Sequence, residues 1–238
     1  MNISAKNIDY RLLNQKVKDT AEDICIDDCC GQRFIGANLK EKYIKINGIP
    51  GNALGAYLDG ATIEVNGNVQ DAVGDTMNKG RLIIHGNAGD ALGYAMRGGA
   101  IYVKGDTGYR TGIHMKEYED KKPVIIVGGK TGSFLGEYLA GGIIVVLGLG
   151  ADKVPVGNFT GTGMHGGKIF VRTENKIVGL PAQVITTKAD EEDLKEIATY
   201  IEEFANKFGL DAKTIMESPF QVLTPDAKNP YHQLYAAN

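Results

Sequence analysis

The chain has 238 residues, 43% of them hydrophobic, which is enough for one sizeable core with appendages. Its formal charge of −3, with Lys and Arg scattered singly, supplies no basic field, so neither nucleic acid nor an anionic membrane is expected as a partner. Cys25, Cys29 and Cys30 lie within six positions and form no disulfide framework, whereas 32 glycines, about twice the usual ~7%, with only 7 prolines, point to a repeat.

In chain order, residues 1–22 form an N-terminal segment that lacks the continuous apolar core of a secretory signal. The longest apolar run, Ile143 to Leu147, is too short to cross a bilayer, and a cytoplasmic location is expected. From Ile24-Cys-Ile26 onward the chain is punctuated by short β-type runs that end at glycine: Gly48, Gly67, Gly86, Gly105, Gly128 and Gly148, at spacings of 19, 19, 19, 23 and 20. A second glycine column, Gly55, Gly74, Gly93, Gly112 and Gly136, runs beside the first, and a third includes Gly60, Gly80, Gly99, Gly142 and Gly167.

A period of 19–20 leaves no room for a strand plus a helix, so each repeat must be all-β. Stacking one unit per coil gives parallel sheets whose strands lie about 4.8 Å apart. The chain is therefore expected to be all-β, a right-handed parallel β-helix of about 7–8 coils over residues 23–180, ending with Ile169-Phe-Val171. The irregular long coil argues against the six-residue beat of a left-handed hexapeptide helix. Glycine columns belong at its corners, where left-handed backbone and close stacking exclude a side chain.

Ile44, Ile46, Ile63, Val65, Leu82, Ile84, Ile101, Val103, Ile144 and Val146 are expected to point inward. Outward positions begin polar, with Lys45 and Glu64, and later become an apolar stripe of Ile125, Val127, Val145, Leu147 and Phe170, a possible docking surface that needs a cover. A helical appendage over 181–217 provides one. Thr187 to Asp190 reads as a capping box, Leu194, Ile197, Ala198, Ile201, Phe204 and Phe208 share a helical face, and Gly209 stops the run. This helix is expected to pack back on the late coils. A shorter helix follows from Asp211, and an extended tail over 218–238 completes the chain.

Motifs with chemical potential are few. Gly161-Thr-Gly163-Met-His-Gly166 matches a dinucleotide loop in letters, but leads into a strand instead of opening a helix. The three cysteines lack a C-x-x-C pair, and His85, His114, His165 and His232 stand alone in sequence. Asp59, Asp71, Asp75, Asp90, Asp106 and Asp152 mostly sit at turns beside glycine, where Asp serves the backbone, and a carbohydrate-binding face is disfavoured because there is no Trp. No catalytic, cofactor-binding or metal-ligating residue is assigned.

The coils Gly51-Asn-Ala-Leu-Gly-Ala-Tyr-Leu-Asp-Gly60, Gly89-Asp-Ala-Leu-Gly-Tyr-Ala-Met-Arg-Gly-Gly99 and Gly132-Ser-Phe-Leu-Gly-Glu-Tyr-Leu-Ala-Gly-Gly142 resemble the GXGXG β-helix domain at the C-terminus of the glutamate synthase large subunit, and Cys30-Gly-Gln-Arg-Phe-Ile-Gly-Ala37 resembles its first coil. The resemblance spans roughly residues 20–180 and implies the part of that enzyme without chemistry of its own. Asn2, not a cysteine nucleophile, follows Met1, and no multi-cysteine cluster is present. A stand-alone chain of this kind resembles one component of a split glutamate synthase. The expected partners are then a glutamine amidotransferase subunit and a synthase subunit that bears FMN and an iron–sulfur cluster. The glycine-coil subunit of formylmethanofuran dehydrogenase is similar in using the same coil beside a molybdenum or tungsten subunit, although Pro230 to Ala236 looks more like the glutamate-synthase type. An independent β-helix enzyme using the His165 loop is a reading from a different class.

Overall fold

The computed structural model describes residues 1–226. The elements are β1 (Asn2–Ser4), α1 (Tyr10–Asp19), β2 (Ile24–Cys30), β3 (Tyr43–Ile49), β4 (Asp59–Asn66), β5 (Lys79–Ile84), β6 (Ala100–Val103), β7 (Val124–Val127), β8 (Ala140–Val146), β9 (Gly166–Arg172), β10 (Val184–Lys188), α2 (Glu191–Phe208), α3 (Ala212–Met216) and β11 (Phe220–Pro225). Strands β1 to β9 stack in sequence order, every neighbouring pair parallel, as a β-solenoid of about eight turns. All ten inward positions expected from the sequence are fully buried in its interior.

The long coil carries five extra residues near 117–121, closed by an antiparallel bridge between Tyr118 and Lys121. Around it the register differs from the sequence-based expectation. Ile101 pairs with Ile125 and Val103 with Val127, and the Gly105 carbonyl accepts from Gly129, not Gly128. A one-residue slip exchanges the two faces of a strand. Ile125 and Val127 therefore point into the solenoid, and Val124 and Ile126 join Val145, Leu147 and Phe170 on the outer face. Two adjacent glycines and four consecutive aliphatics make either register equally apolar in sequence. Only pairing with β6 distinguishes them.

That outer face is covered as expected. Ile197, Ile201, Phe204 and Phe208 of α2, with Ile215 of α3, bury Ile83, Tyr102, Ile126, Val145 and Phe170 in a second core. Asp190 is the N-cap of α2, with Asp193 as its capping-box partner, so the box begins where the sequence reading ended it; Gly209 closes the helix in the left-handed conformation.

The ends depart from the expected boundaries. The first coil begins at β1, and α1 lays Leu13 and Val17 over the open end of the interior, with Lys42 donating to the carbonyls of Val17 and Thr20. The 181–217 segment contains a strand, β10, besides its helices, and part of the 218–238 tail is β11, which inserts antiparallel between β9 and β10. Phe220 and Val222 lie under α2 while Leu223 enters the interior, so both faces are buried and no alternation marks the strand. His232 and Pro230 to Ala236 lie outside the described residues.

Candidate functional site

The distinguishing surface is built from backbone conformation. From Phe34 onward each coil passes three left-handed residues at alternating positions, for example Ala72 (φ 55°), Gly74 (φ 70°) and Thr76 (φ 51°). A non-glycine residue pays ~1–2 kcal/mol for this conformation, and inter-coil hydrogen bonds offset it: Ala72 and Thr76 donate to Asp90 and Tyr94 of the following coil at 2.8 Å, while Gly74 donates to Leu54 of the preceding one at 2.9 Å. The middle position faces inward. A Cβ on Gly93 would lie 2.5 Å from the Ile125 Cδ1, and Gly55, Gly74, Gly112 and Gly136 meet Leu82, Ile101, Ile144 and Ile169 in the same manner. The whole predicted column is thus brought to one interior edge.

The flanking positions face outward, and the sequence changes along them. One column reads Phe34, Ala53, Ala72, Ala91, Arg110, Phe134 and Phe159; the other reads Asn38, Tyr57, Thr76, Ala95, His114, Tyr138 and Gly163. Small residues in the middle coils give way to an exposed edge of rings in the late ones. Phe134 stacks on Phe159 at 5.1 Å, His114 on Tyr138 at 5.0 Å, and Tyr94 meets His114 edge-on at 5.9 Å. Arg110 lies over the Phe134 ring at 5.2 Å, held by Glu137 at 3.0 Å. Tyr94, Tyr138 and Phe159 remain 40–54% exposed. Chemically, this is a contact surface of phenyl, phenol and imidazole rings with one guanidinium, and Tyr and Arg are among the side chains most enriched at interface hot spots.

The remaining candidates serve the fold. Asp71, Asp90 and Asp106 accept the backbone N–H of Asp90, Tyr109 and Lys130 one coil on, at 2.7–2.9 Å. The Tyr43 hydroxyl and the His85 ring both bond Glu64, at 2.6 and 2.9 Å, beside Phe208 at the end of α2. Burial and the Glu64 hydrogen bond push the Tyr43 phenol up to about 12. Arg81 and Tyr102 clamp Glu203 of α2 at 2.8 Å each; burial opposes the Glu203 charge, but these bonds outweigh it and hold the carboxyl below the usual range. Burial pushes the Cys29 thiol up to about 11, while Cys30 is exposed. Among the described residues, no three His, Cys, Asp or Glu side chains converge as metal ligands would. Gly161 and Gly163 (φ 75° and 70°) form a coil corner that leads into β9, and the His165 ring bonds the Gly163 carbonyl at 3.1 Å.

A family model described as GXGXG motif matches residues 7–225. The chain belongs to that family. The uncharacterized protein MJ1350 of Methanocaldococcus jannaschii is 45% identical to this GXGXG chain over 248 residues, covering 98% of it and 95% of the relative. Among solved structures, a chain of the formyltransferase/hydrolase complex FhcABCD from Methylorubrum extorquens, determined with methylofuran, superposes with a TM-score of 0.66 over 94% of this chain and 91% of its own, at 18% identity, which is a likeness of fold. No helix among the described residues is long and apolar enough to cross a membrane.

The aromatic edge does not show in the sequence when the coils are aligned on their strands. Aligning them on the Gly55 column and reading two positions either side exposes the change from Ala to Arg110, Phe134 and Phe159.

Proposed function

We propose that this GXGXG protein is a non-catalytic assembly subunit of a multi-subunit oxidoreductase complex, and specifically the scaffold of a split glutamate synthase that braces its glutaminase and FMN/iron–sulfur components. The observation that carries the scaffold role is the aromatic edge: rings and Arg110 held in register by inter-coil hydrogen bonds lose little conformational freedom on docking, so little binding energy is spent on ordering them. The coil motifs resembling the glutamate synthase large subunit support the finer assignment. A second reading, the glycine-coil scaffold of a formylmethanofuran dehydrogenase, is favoured by the solved chain from FhcABCD that shares the fold over 94% of this chain.

The test is affinity capture of the chain from its native extract, followed by mass spectrometry. Co-purification of a glutamine amidotransferase and a flavin- and iron–sulfur-bearing synthase supports the first reading. A molybdenum or tungsten subunit supports the second. Stoichiometric FMN bound to the purified chain alone, or turnover of glutamine by it, overturns the scaffold role.

A further inference from the structure

We infer that the C-terminal end of the solenoid accepts an extended acidic strand from a partner polypeptide, which adds to the open edge of β10. Among the described residues, strand β10 is the last in the sheet and pairs only with β11. Bonds from Ala189 to the Phe220 carbonyl and from Asp226 to the Gln183 carbonyl mark the hydrogen-bonded pairs of this antiparallel ladder. By alternation, Ile185 and Thr187 turn their N–H and C=O groups toward β11, and Thr186 and Lys188 turn theirs away. The outward groups of Thr186 and Lys188 have no partner among the described residues.

The charge beside this edge specifies the strand. Thr186 pairs with Leu223 and Lys188 with Gln221, and Gln221 bonds the Asn175 carbonyl, so these side chains face the 173–176 loop. A cleft of about 530 Å³ opens there, lined by Thr186, Lys188, Lys176 and Glu174, and it adjoins a second of about 330 Å³ lined by Arg172, Lys153 and Asp152; the two share Thr173, Glu174 and Pro219. Four cations face two carboxylates in a chain of net charge −3. None of the four is in an ion pair with a described residue, and the Arg172 Nε is buried without an acceptor. The Arg172 guanidinium donates to the Leu147 carbonyl at 2.9 Å and, paired with Phe220, lies on the other sheet face from Thr186 and Lys188, so Lys188 and Lys176 are the cations that a carboxylate beside β10 would meet. A strand laid antiparallel on β10 would place the side chains opposite Thr186 and Lys188 in the cleft, where acids fit, and the alternate ones beside Ile185, which is 42% exposed, where β-branched residues fit. A second copy of the chain would instead bring the strand Val-Ile-Thr-Thr-Lys, which has no acidic residue to meet this charge.

This inference rests on the assembly reading only for the owner of the strand, and its test uses the purified chain without any complex. The probe is a fluorescent peptide of three Val-Glu repeats, with three Val-Lys repeats as the control, followed by anisotropy. Saturable binding of the Val-Glu peptide is expected, at least tenfold tighter than the control. Thr186→Pro removes only an outward N–H and should weaken binding at least tenfold with unchanged melting; Lys188→Glu, which leaves the backbone intact, should do the same. Absence of saturable binding, equal affinity for both peptides, or full affinity in both variants overturns the inference. Concentration-dependent dimerisation that is lost in Thr186→Pro would assign the edge to a second copy and overturn it equally.

Discussion

At the scale of the residue, the glycines fall into two physical classes. Gly93 and Gly136 have left-handed backbone (φ 67° and 62°), and an added Cβ would press on the far end of an interior isoleucine, which can yield only by disturbing the core. Left-handed strain plus overpacking predicts that Gly93→Leu and Gly136→Leu each lose roughly 2–5 kcal/mol in thermal or denaturant melts. At Gly67 the Cβ would instead stand 2.3 Å from the backbone carbonyl oxygen of Gly48, which no rotamer can relieve. Gly67→Ala should therefore destabilise more than Gly93→Ala, although both add one methyl group. The cysteines differ in the same local way. With the Cys29 thiol raised to about 11, only about a thousandth is thiolate at pH 8, so iodoacetamide should modify exposed Cys30 readily and reach Cys29 only on unfolding, as followed by peptide mass spectrometry.

At the scale of the element, α2 is held to the sheet by an apolar face and by carboxylates at three points along it. Glu203 bonds Arg81 and Tyr102, Glu196 pairs with Lys122 and Lys168 at 2.9 Å, and Asp193 pairs with Lys168 at 2.7 Å. Glu203→Ala leaves a half-buried guanidinium and a buried phenol without their acceptor and should cost about 1–3 kcal/mol. Leu147→Glu places a charge in the fully buried second core and should release the helix, read as increased dye binding and aggregation. Acid should act similarly. For both Glu196 and Glu203, burial raises the carboxyl but the hydrogen bonds and cations lower it further, so each folded value lies below the unfolded one near 4.5. Their stabilisation is complete above that value and is lost as pH falls through the folded values, so the stability contributed by α2 should decline below about pH 4.5. Unchanged stability of wild type relative to Glu203→Gln across that interval would count against the clamp.

At the scale of the whole molecule, the solenoid separates its surfaces by function. One outer face is closed by its own helices, while the late corner edge presents Tyr94, Arg110, His114, Phe134, Tyr138 and Phe159 in a fixed array. If this edge is where partner subunits dock, replacing Arg110, Phe134 and Tyr138 together by Ala should reduce co-purification at least tenfold. Melting should shift little, because all three side chains are exposed or half-buried. Coincident loss of stability and partners would instead make the rings part of the fold.

The sequence by itself determined the repeat, the parallel stacking, the inward aliphatic columns and the helix that covers the late coils, because each is a periodic demand that one residue type per position satisfies. Tertiary structure alone decided which way the Val124–Val127 run faces, since four consecutive aliphatics and paired glycines satisfy two registers and only β6 selects one. It also decided that β11 completes the sheet, because a strand buried on both faces has no alternation to read. The aromatic edge likewise joins residues one coil apart through stacking, and Lys176 and Lys188 meet only because β10 pairs with β11, neither of which is written at any single position.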